Sequence, residues 1–417
     1  MKKSKKVLCV SLAILILAAV GVFLTIKNTK SSATDLMEGV KAGKITEKAD
    51  RSEYGPVFTD FSVRLFKECY KKGSNQLISP VSVISALGMT ANGAKGETLL
   101  QMEEVFGVDI ETLNKYIYSF INSLAQGEKY KLSMANSIWV RDTLKNVHKE
   151  FLQTNADYYD ASIYKCAFND KALNDINSWV KDNTEGLIPK ILENINPDAV
   201  MYLINALCFD AEWEEIYLEE SVSDGTFTLE DGTEKNVSFM GSAEYSYIED
   251  ENATGFIKYY LGRKYAFVAL LPNEEVSIED YVATMDGMQI RKMLLFPVKT
   301  KVYTKTPKFS SEYSLEMSEI LKNMGMQDAF KVTADFTGMA SPLDDPLYIN
   351  SVLHKTFIQV DEKGTKAGAA TLVEMNANAL PIEPKTVYLD RPFVYMLIDC
   401  ESNIPFFIGT MMDPCNS

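Results

Sequence analysis

Hydrophobic and polar positions change period several times along the chain. Apolar residues at helical spacing mark Phe58–Lys71 (Phe58, Phe61, Leu65, Phe66), and Ser82–Met89, Thr98–Phe106 and Ala172–Asp182 carry comparable stripes. Alternating or continuous apolar runs predict strands at Leu132–Val140, Tyr202–Phe209, Thr226–Leu229, Ile257–Tyr260, Tyr265–Leu271, Lys299–Lys305, Phe357–Val360, Phe393–Asp399 and Phe406–Thr410. Helices gather early and strands late, the order of an α+β domain rather than a wound βαβ sheet.

One segment combines two patterns that rarely coexist. Residues 361–371 read DEKGTKAGAAT, a charged start, a turn at Gly364 and then a run of small residues, with Pro381 and Pro384 further on. In steps of two the chain gives Thr365, Ala367, Ala369, Thr371, Val373, Met375 and Ala377, all small or apolar. The alternate set, Lys366, Gly368, Ala370, Leu372, Glu374, Asn376 and Asn378, is mostly polar. The period is that of a strand and the composition that of a mobile loop, which points to a chain segment that is a loop in one state and a strand in another. A linker with accidental alternation is the plainer alternative.

About 365 residues follow the N-terminal region with no linker, repeat or low-complexity tract to divide them. The apolar fraction of 46% and aromatic fraction of 11% suffice for a packed core. The net charge of −15 is spread along the chain without a basic cluster, which argues against a nucleic-acid partner. Five cysteines beyond Cys9 (Cys69, Cys166, Cys208, Cys400, Cys415) are odd in number and irregular in spacing, so they read as free thiols rather than a disulfide framework; no C-x-x-C pair suggests zinc, and no metal or cofactor is expected. Four lysines precede an uncharged, mainly apolar run from Val7 to Ile26. Residues 1–30 therefore read as an export signal, cleaved near Ala19-Val20-Gly21 or retained as a membrane anchor, with 31–50 as a tether and 51–417 as the folded domain. The expected location is extracellular, secreted or held at the outer face of the membrane.

An enzyme is not expected. The chain has two histidines, His148 and His354, no G-x-S-x-G elbow and no H-E-x-x-H. GMTANGAK (88–95) lacks the Gly-Lys-Ser/Thr ending of a phosphate loop and does not follow a strand.

The small-residue segment resembles the reactive-loop hinge of the serpins, and other stretches resemble the same family in the family's order. VYLDRPFVYML (387–397) is similar to its C-terminal signature; NQLISPVSVISALGM (75–89) to the segment opening its core helix, with Ser79, Pro80 and Ser82 in place; LINALCFDAEW to its central strand, with Asn205, Phe209 and Trp213. SVLHKTFIQVDEKGT places His354 just before the hinge, and KDNTEGLIPKIL (181–192) and KNMGMQDAFKVTADFTGM (322–339) add two more. The resemblance spans roughly residues 50–417. It implies a serpin fold with three β-sheets, eight or nine helices and an exposed reactive-centre loop.

It also implies a monomeric suicide inhibitor of a serine protease, in which the cleaved loop inserts as a new strand of the large sheet. The hinge would comprise Glu362, Gly364, Thr365, Ala367, Gly368, Ala369, Ala370 and Thr371. Ser79, Ser82, Asn205, Trp213 and His354 would gate the opening of the sheet, although for His354 and Trp213 the plainer reading is a satisfied core residue. Counting from Glu362 puts the scissile bond at Asn378-Ala379, with Ala377-Asn378 or Leu380-Pro381 as alternatives. The absence of Arg, Lys or an aromatic residue from 375–380 argues for an elastase-like or subtilisin-like target and against a trypsin-like one. The stretch comparable to the basic helix with which some serpins bind heparin has too few lysines for that role. A non-inhibitory serpin, acting as carrier, chaperone or storage protein, is the alternative. Thr365 is expected to lie near the surface of the uncut chain and to move inward only on insertion.

Overall fold

A computed structural model describes residues 31–47, 49–124, 126–127, 130–365 and 383–416. Among these, nine α-helices accompany three sheets, an α+β architecture. The large sheet runs in the order Thr34–Asp35, Ser162–Cys166, Tyr130–Arg141, Met201–Glu212, Ser351–Val360, Phe309–Glu316. A six-stranded sheet joins Gln76–Ile78, Ile404–Met411, Phe393–Asp399, Tyr265–Pro272, Ala253–Tyr259 and Tyr247–Glu249. The smallest joins Lys385–Tyr388, Val302–Pro307, Glu234–Glu244 and Val222–Thr228.

The central strand, MYLINALCFDAE (201–212), is buried at every position but Asp210. Such a run is expected of a strand covered on both faces. Leu203, Leu207 and Phe209 join the main core, while Ile204, Ala206 and Cys208 join a second cluster with Ala172, Ile176 and Val180 of the helix Asp170–Asn183. Beneath the main-core face lies the helix Pro80–Ala91, buried along its whole length. Ser79 caps it, accepting from the Ser82 N–H at 3.3 Å, and Pro80 occupies its first turn. Its internal hydroxyls bond back to carbonyls one turn earlier, Ser85 to Val81 at 2.7 Å and Thr90 to Ala86 at 3.1 Å, which lets polar side chains sit in an apolar environment.

Met201–Glu212 and Ser351–Val360 are parallel and pair directly from Tyr202–Ser351 to Cys208–Phe357. Beyond that point they part, and Gly364 and Thr365 occupy the mouth, antiparallel to Glu212 and Ala211. The connection 366–382 lies outside the described residues, between the large sheet and Lys385–Tyr388 of the small one. Residues 31–47, expected as a tether, run along the body: Thr34 and Asp35 pair with Lys165 and Tyr164, and the Gly43 N–H donates to Asp157 at 2.7 Å. The export reading of residues 1–30 falls outside the described residues, and no described helix is long and apolar enough to cross a membrane. Cys69, Cys166 and Cys208 are buried, Cys400 half-buried and Cys415 exposed.

Candidate functional site: the hinge and the central strands

Two polar clusters flank the seam between the central strands, one midway along it and one at its mouth. The midway cluster unites Ser79, Ser82, Asn205 and His354, each fully buried. His354 and Asn205 face each other in the ladder. The Ser79 N–H donates to His354 Nε2 at 3.0 Å, so the ring proton resides on Nδ1, which donates to Asn205 Oδ1. The Ser82 hydroxyl lies 3.3 Å from both Asn205 Oδ1 and Asn136 Oδ1. Three adjacent strands are thereby fastened to the N-terminus of the buried helix. Asn205 Nδ2 has no hydrogen-bond partner among the described residues. Nothing in sequence spacing announces this cluster, since Ser79 and His354 stand 275 residues apart.

Burial pushes the His354 pKa down from 6.5 to about 3, so the ring is neutral in the fold. An unfolded or opened chain recovers the ordinary value and binds a proton below it. The closed sheet therefore keeps its full stability above about pH 6.5 and loses it as pH falls toward 3. At pH 4.5 the loss is expected to be up to about 2–3 kcal/mol. Melting of the uncut protein from pH 7.5 to 4.5 should show a drop that shrinks in His354→Gln; an identical pH slope in the variant would exclude His354 as its source.

Trp213, grouped with these residues on sequence grounds, stands apart from them at the mouth. Its Nε1–H donates to the Asp361 carbonyl and its backbone N–H to Lys363 O, both at 2.9 Å, and the Tyr217 N–H donates to Glu362 O at 2.9 Å. Its ring stacks on Tyr260 with centroids 4.3 Å apart. The Glu362 carboxylate pairs with Lys308, whose hydrogen bond lowers its pKa. Asp361 Oδ1 accepts from the N–H groups of Lys363 (2.9 Å) and Gly364 (3.3 Å), closing the turn. Gly364 approaches the central strand so closely that a Cβ there would lie 2.0 Å from Ala211 O.

Thr365 overturns the expectation that it lies near the surface. It is fully buried, with its hydroxyl 2.8 Å from the Tyr260 hydroxyl. The physical reason is the divergence of the two strands beyond Cys208 and Phe357, which leaves ladder positions at Ala211 and Glu212 that the hinge fills. Of the other hinge positions, Glu362 and Gly364 are placed as described; Ala367, Gly368, Ala369, Ala370 and Thr371 lie outside the described residues. So do the expected scissile pair Asn378-Ala379 and the alternatives at Ala377 and Leu380.

Sequence reasoning missed Lys308, Tyr260 and a buried ion pair behind the aromatic stack. Lys258 Nζ donates to Glu244 at 2.8 Å and lies 4.4 Å from the Tyr217 ring centroid and 5.4 Å from that of Trp213. Burial works against the ammonium most strongly, but the charges of Glu244, Tyr217 and Glu215 and the Glu244 hydrogen bond together outweigh it, so the Lys258 pKa ends up raised and the ammonium stays charged. The pair joins the two smaller sheets directly behind the rings that hold the hinge backbone.

Comparison with known proteins follows this geometry. The family model Serpin (serine protease inhibitor) matches residues 57–414. The chain belongs to the serpin family. It is 30% identical to an uncharacterised serpin-like protein of Thermococcus kodakarensis, over 85% of this chain and 84% of that one, and 30% identical to leukocyte elastase inhibitor A of Mus musculus, over 85% and 98%. The native crystal structure of the thermophilic serpin tengpin superposes with a TM-score of 0.87 at 46% identity, covering 92% of this chain and all of that one; its latent state gives 0.77 at 44%, over 89% and 99%.

Proposed function

We propose that this serpin is a suicide-substrate inhibitor of a serine protease of elastase-like or subtilisin-like preference. The observation that carries the reading is Thr365 seated at the mouth of the seam, antiparallel to the central strand. Continued inward on insertion, the same register would set Ala367 opposite Phe209, Ala369 opposite Leu207, Thr371 opposite Asn205, Val373 opposite Leu203 and Met375 opposite Met201. The small and apolar set thus meets the main-core face, where small side chains pass without collision and Val373 and Met375 gain burial. Thr371 would arrive beside the unpartnered Asn205 amide.

In the reaction this implies, the protease nucleophile attacks the carbonyl of Asn378 and forms an acyl-enzyme. Release of the segment beginning at Ala379 frees the loop to insert before water completes hydrolysis. The new strand separates a parallel pair and makes antiparallel ladders on both sides, the pairing that is slightly more stable per residue. Main-chain hydrogen bonding thus supplies the drive, and the alternate side chains set which loops can be accommodated.

Incubation with elastase-like and subtilisin-like proteases is expected to give an SDS-resistant band at the summed masses less a released C-terminal fragment of about 4 kDa, whose N-terminal sequence fixes the scissile bond. Clean turnover of the loop by every protease tried, with none inhibited, would sink the inhibitory reading and favour a carrier, chaperone or storage role.

A further inference from the structure

The small sheet carries a feature that loop insertion does not use. Residues 299–305 read KTKVYTK. Thr300, Val302 and Thr304 are buried, at 5, 0 and 2% exposure. Lys299, Lys301, Tyr303 and Lys305 alternate with them; Lys301 is half-buried and the other three are exposed. Across the ladder Tyr303 pairs with Ala243 on one side and Thr386 on the other, and Lys305 with Gly241 and Tyr388. Small residues therefore leave the aromatic rings standing clear: Tyr303 is 44% exposed, Tyr388 37%, and nearby Tyr245 53%. Lys301 Nζ lies 4.8 Å from the Tyr303 ring centroid and Lys305 Nζ 4.9 Å from that of Tyr388. Just ahead of the stripe, Phe296 is 74% exposed and Val298 42%.

The charge on this face is unneutralised. Lys299, Lys301 and Lys305 form no ion pair among the described residues; Lys299 donates to the Ser246 hydroxyl at 2.9 Å. In a chain of net charge −15, a stripe of free lysines interleaved with exposed tyrosines is a local inversion of the surface. The exposed tyrosine rings are of the type enriched in protein contacts, and the lysines between them add a positive field that can steer a charged partner.

Position identifies the partner. The strand Lys385–Tyr388, one wall of this face, is where the loop returns to the fold, and Lys385 follows Asn378 by seven residues. Seven residues span at most about 25 Å, and a protease of ~250 residues has a radius of gyration of about 18 Å. A protease engaged at the bond is thus held within reach of the stripe.

We propose that the face formed by Lys299, Lys301, Tyr303, Lys305 and Tyr388 is a second docking surface for the target protease, and that this target bears carboxylates on the rim beside its active-site cleft. The proposal rests on the inhibitory reading above. The stripe steers the encounter and selects among proteases that share one cleavage preference.

The test compares the full chain with the triple variant Lys299→Glu, Lys301→Glu, Lys305→Glu. Two proteases are used: a subtilisin-like protease with an acidic rim, and its derivative with those rim residues changed to Asn and Gln. Against the acidic-rim protease, the triple variant should associate about tenfold or more slowly at low ionic strength, with a flattened salt dependence. Its rate against the amide derivative, its stoichiometry and its melting temperature should be unchanged. Equal losses with both proteases, or none with either, overturn the proposal. If the unmodified chain traps neither protease, the inhibitory reading has failed, and the face is tested instead through kcat/KM for cutting the loop: the same rim-dependent difference supports it and its absence overturns it. Retention of the unmodified chain on an immobilised sulfated polysaccharide at physiological salt, without any rate difference between the two proteases, assigns the stripe to a polyanion and also overturns it.

Discussion

Cutting the loop anywhere within residues 376–380 is expected to raise the melting temperature by about 10 °C or more. In the uncut chain the central strands pair with each other through a parallel ladder of seven positions, and only Thr365 and Gly364 lie at its mouth. Insertion exchanges that ladder for two. Around ten additional hydrogen bonds at about 0.5–1.5 kcal/mol net each, with burial of Val373 and Met375 at about 1.5–3 kcal/mol each, give on the order of 10 kcal/mol. At about 2.1 cal/mol/K per residue, such an increment shifts the unfolding midpoint of a domain of about 365 residues by roughly 10–15 °C, whereas ordinary nicking of a surface loop leaves stability level or lowers it. The uncut form is on this reading favoured by kinetics rather than by equilibrium. Melting curves of matched samples before and after limited proteolysis decide the matter, and a midpoint that stays put would mean the loop does not insert.

Thr365→Arg is expected to convert an inhibitor into a substrate. The side chain at this position is wholly buried against Tyr260 before cleavage, so the substitution acts twice. In the uncut protein the guanidinium cannot occupy the mouth, and the hinge should withdraw from Ala211 and Glu212, disturbing the Trp213–Tyr260 stack and its fluorescence. After cleavage, insertion would have to begin by burying an unpaired cation, at a penalty of several kcal/mol. A barrier raised by even about 3 kcal/mol slows that step roughly a hundredfold, ample time for deacylation to win. The variant should be cut at the same bond but release active protease, while Thr365→Ser, which keeps the hydroxyl, should trap normally. Unchanged stoichiometry in the arginine variant would refute the register on which the mechanism depends.

Much of this scaffold is legible in the chain because strong patterns coincide with buried elements. The run 201–212 reads as a strand because nearly every position is buried, and the hinge shows itself through small residues at a period of two. Elements with little apolar surface escape such reading. The helix Lys149–Tyr159 buries only Phe151, Asn155 and Tyr159; the strand Phe309–Glu316 buries only Phe309 and Ser311; Lys385–Tyr388 is four residues long and follows Pro384. The polar clusters have no local signature at all. His354, Asn205 and Ser79 are associated in the sequence only through the family resemblance, and Lys308 meets Glu362 across 54 positions with nothing nearby to pair them. Thr365 was misplaced for a different reason. Alternation gives the face a residue will occupy, but not how far along the seam the strand has already advanced.

The divergence of the two central strands beyond Cys208 and Phe357 has a consequence for the cell that makes this protein. On the inhibitory mechanism proposed above, the gap would accept one strand, from one end, supplied by the chain's own loop, with no step that returns it to the starting state. Each molecule would then act once, and protection would scale with the number of copies synthesised rather than with any turnover rate. A producing cell would regulate such a protein through its supply.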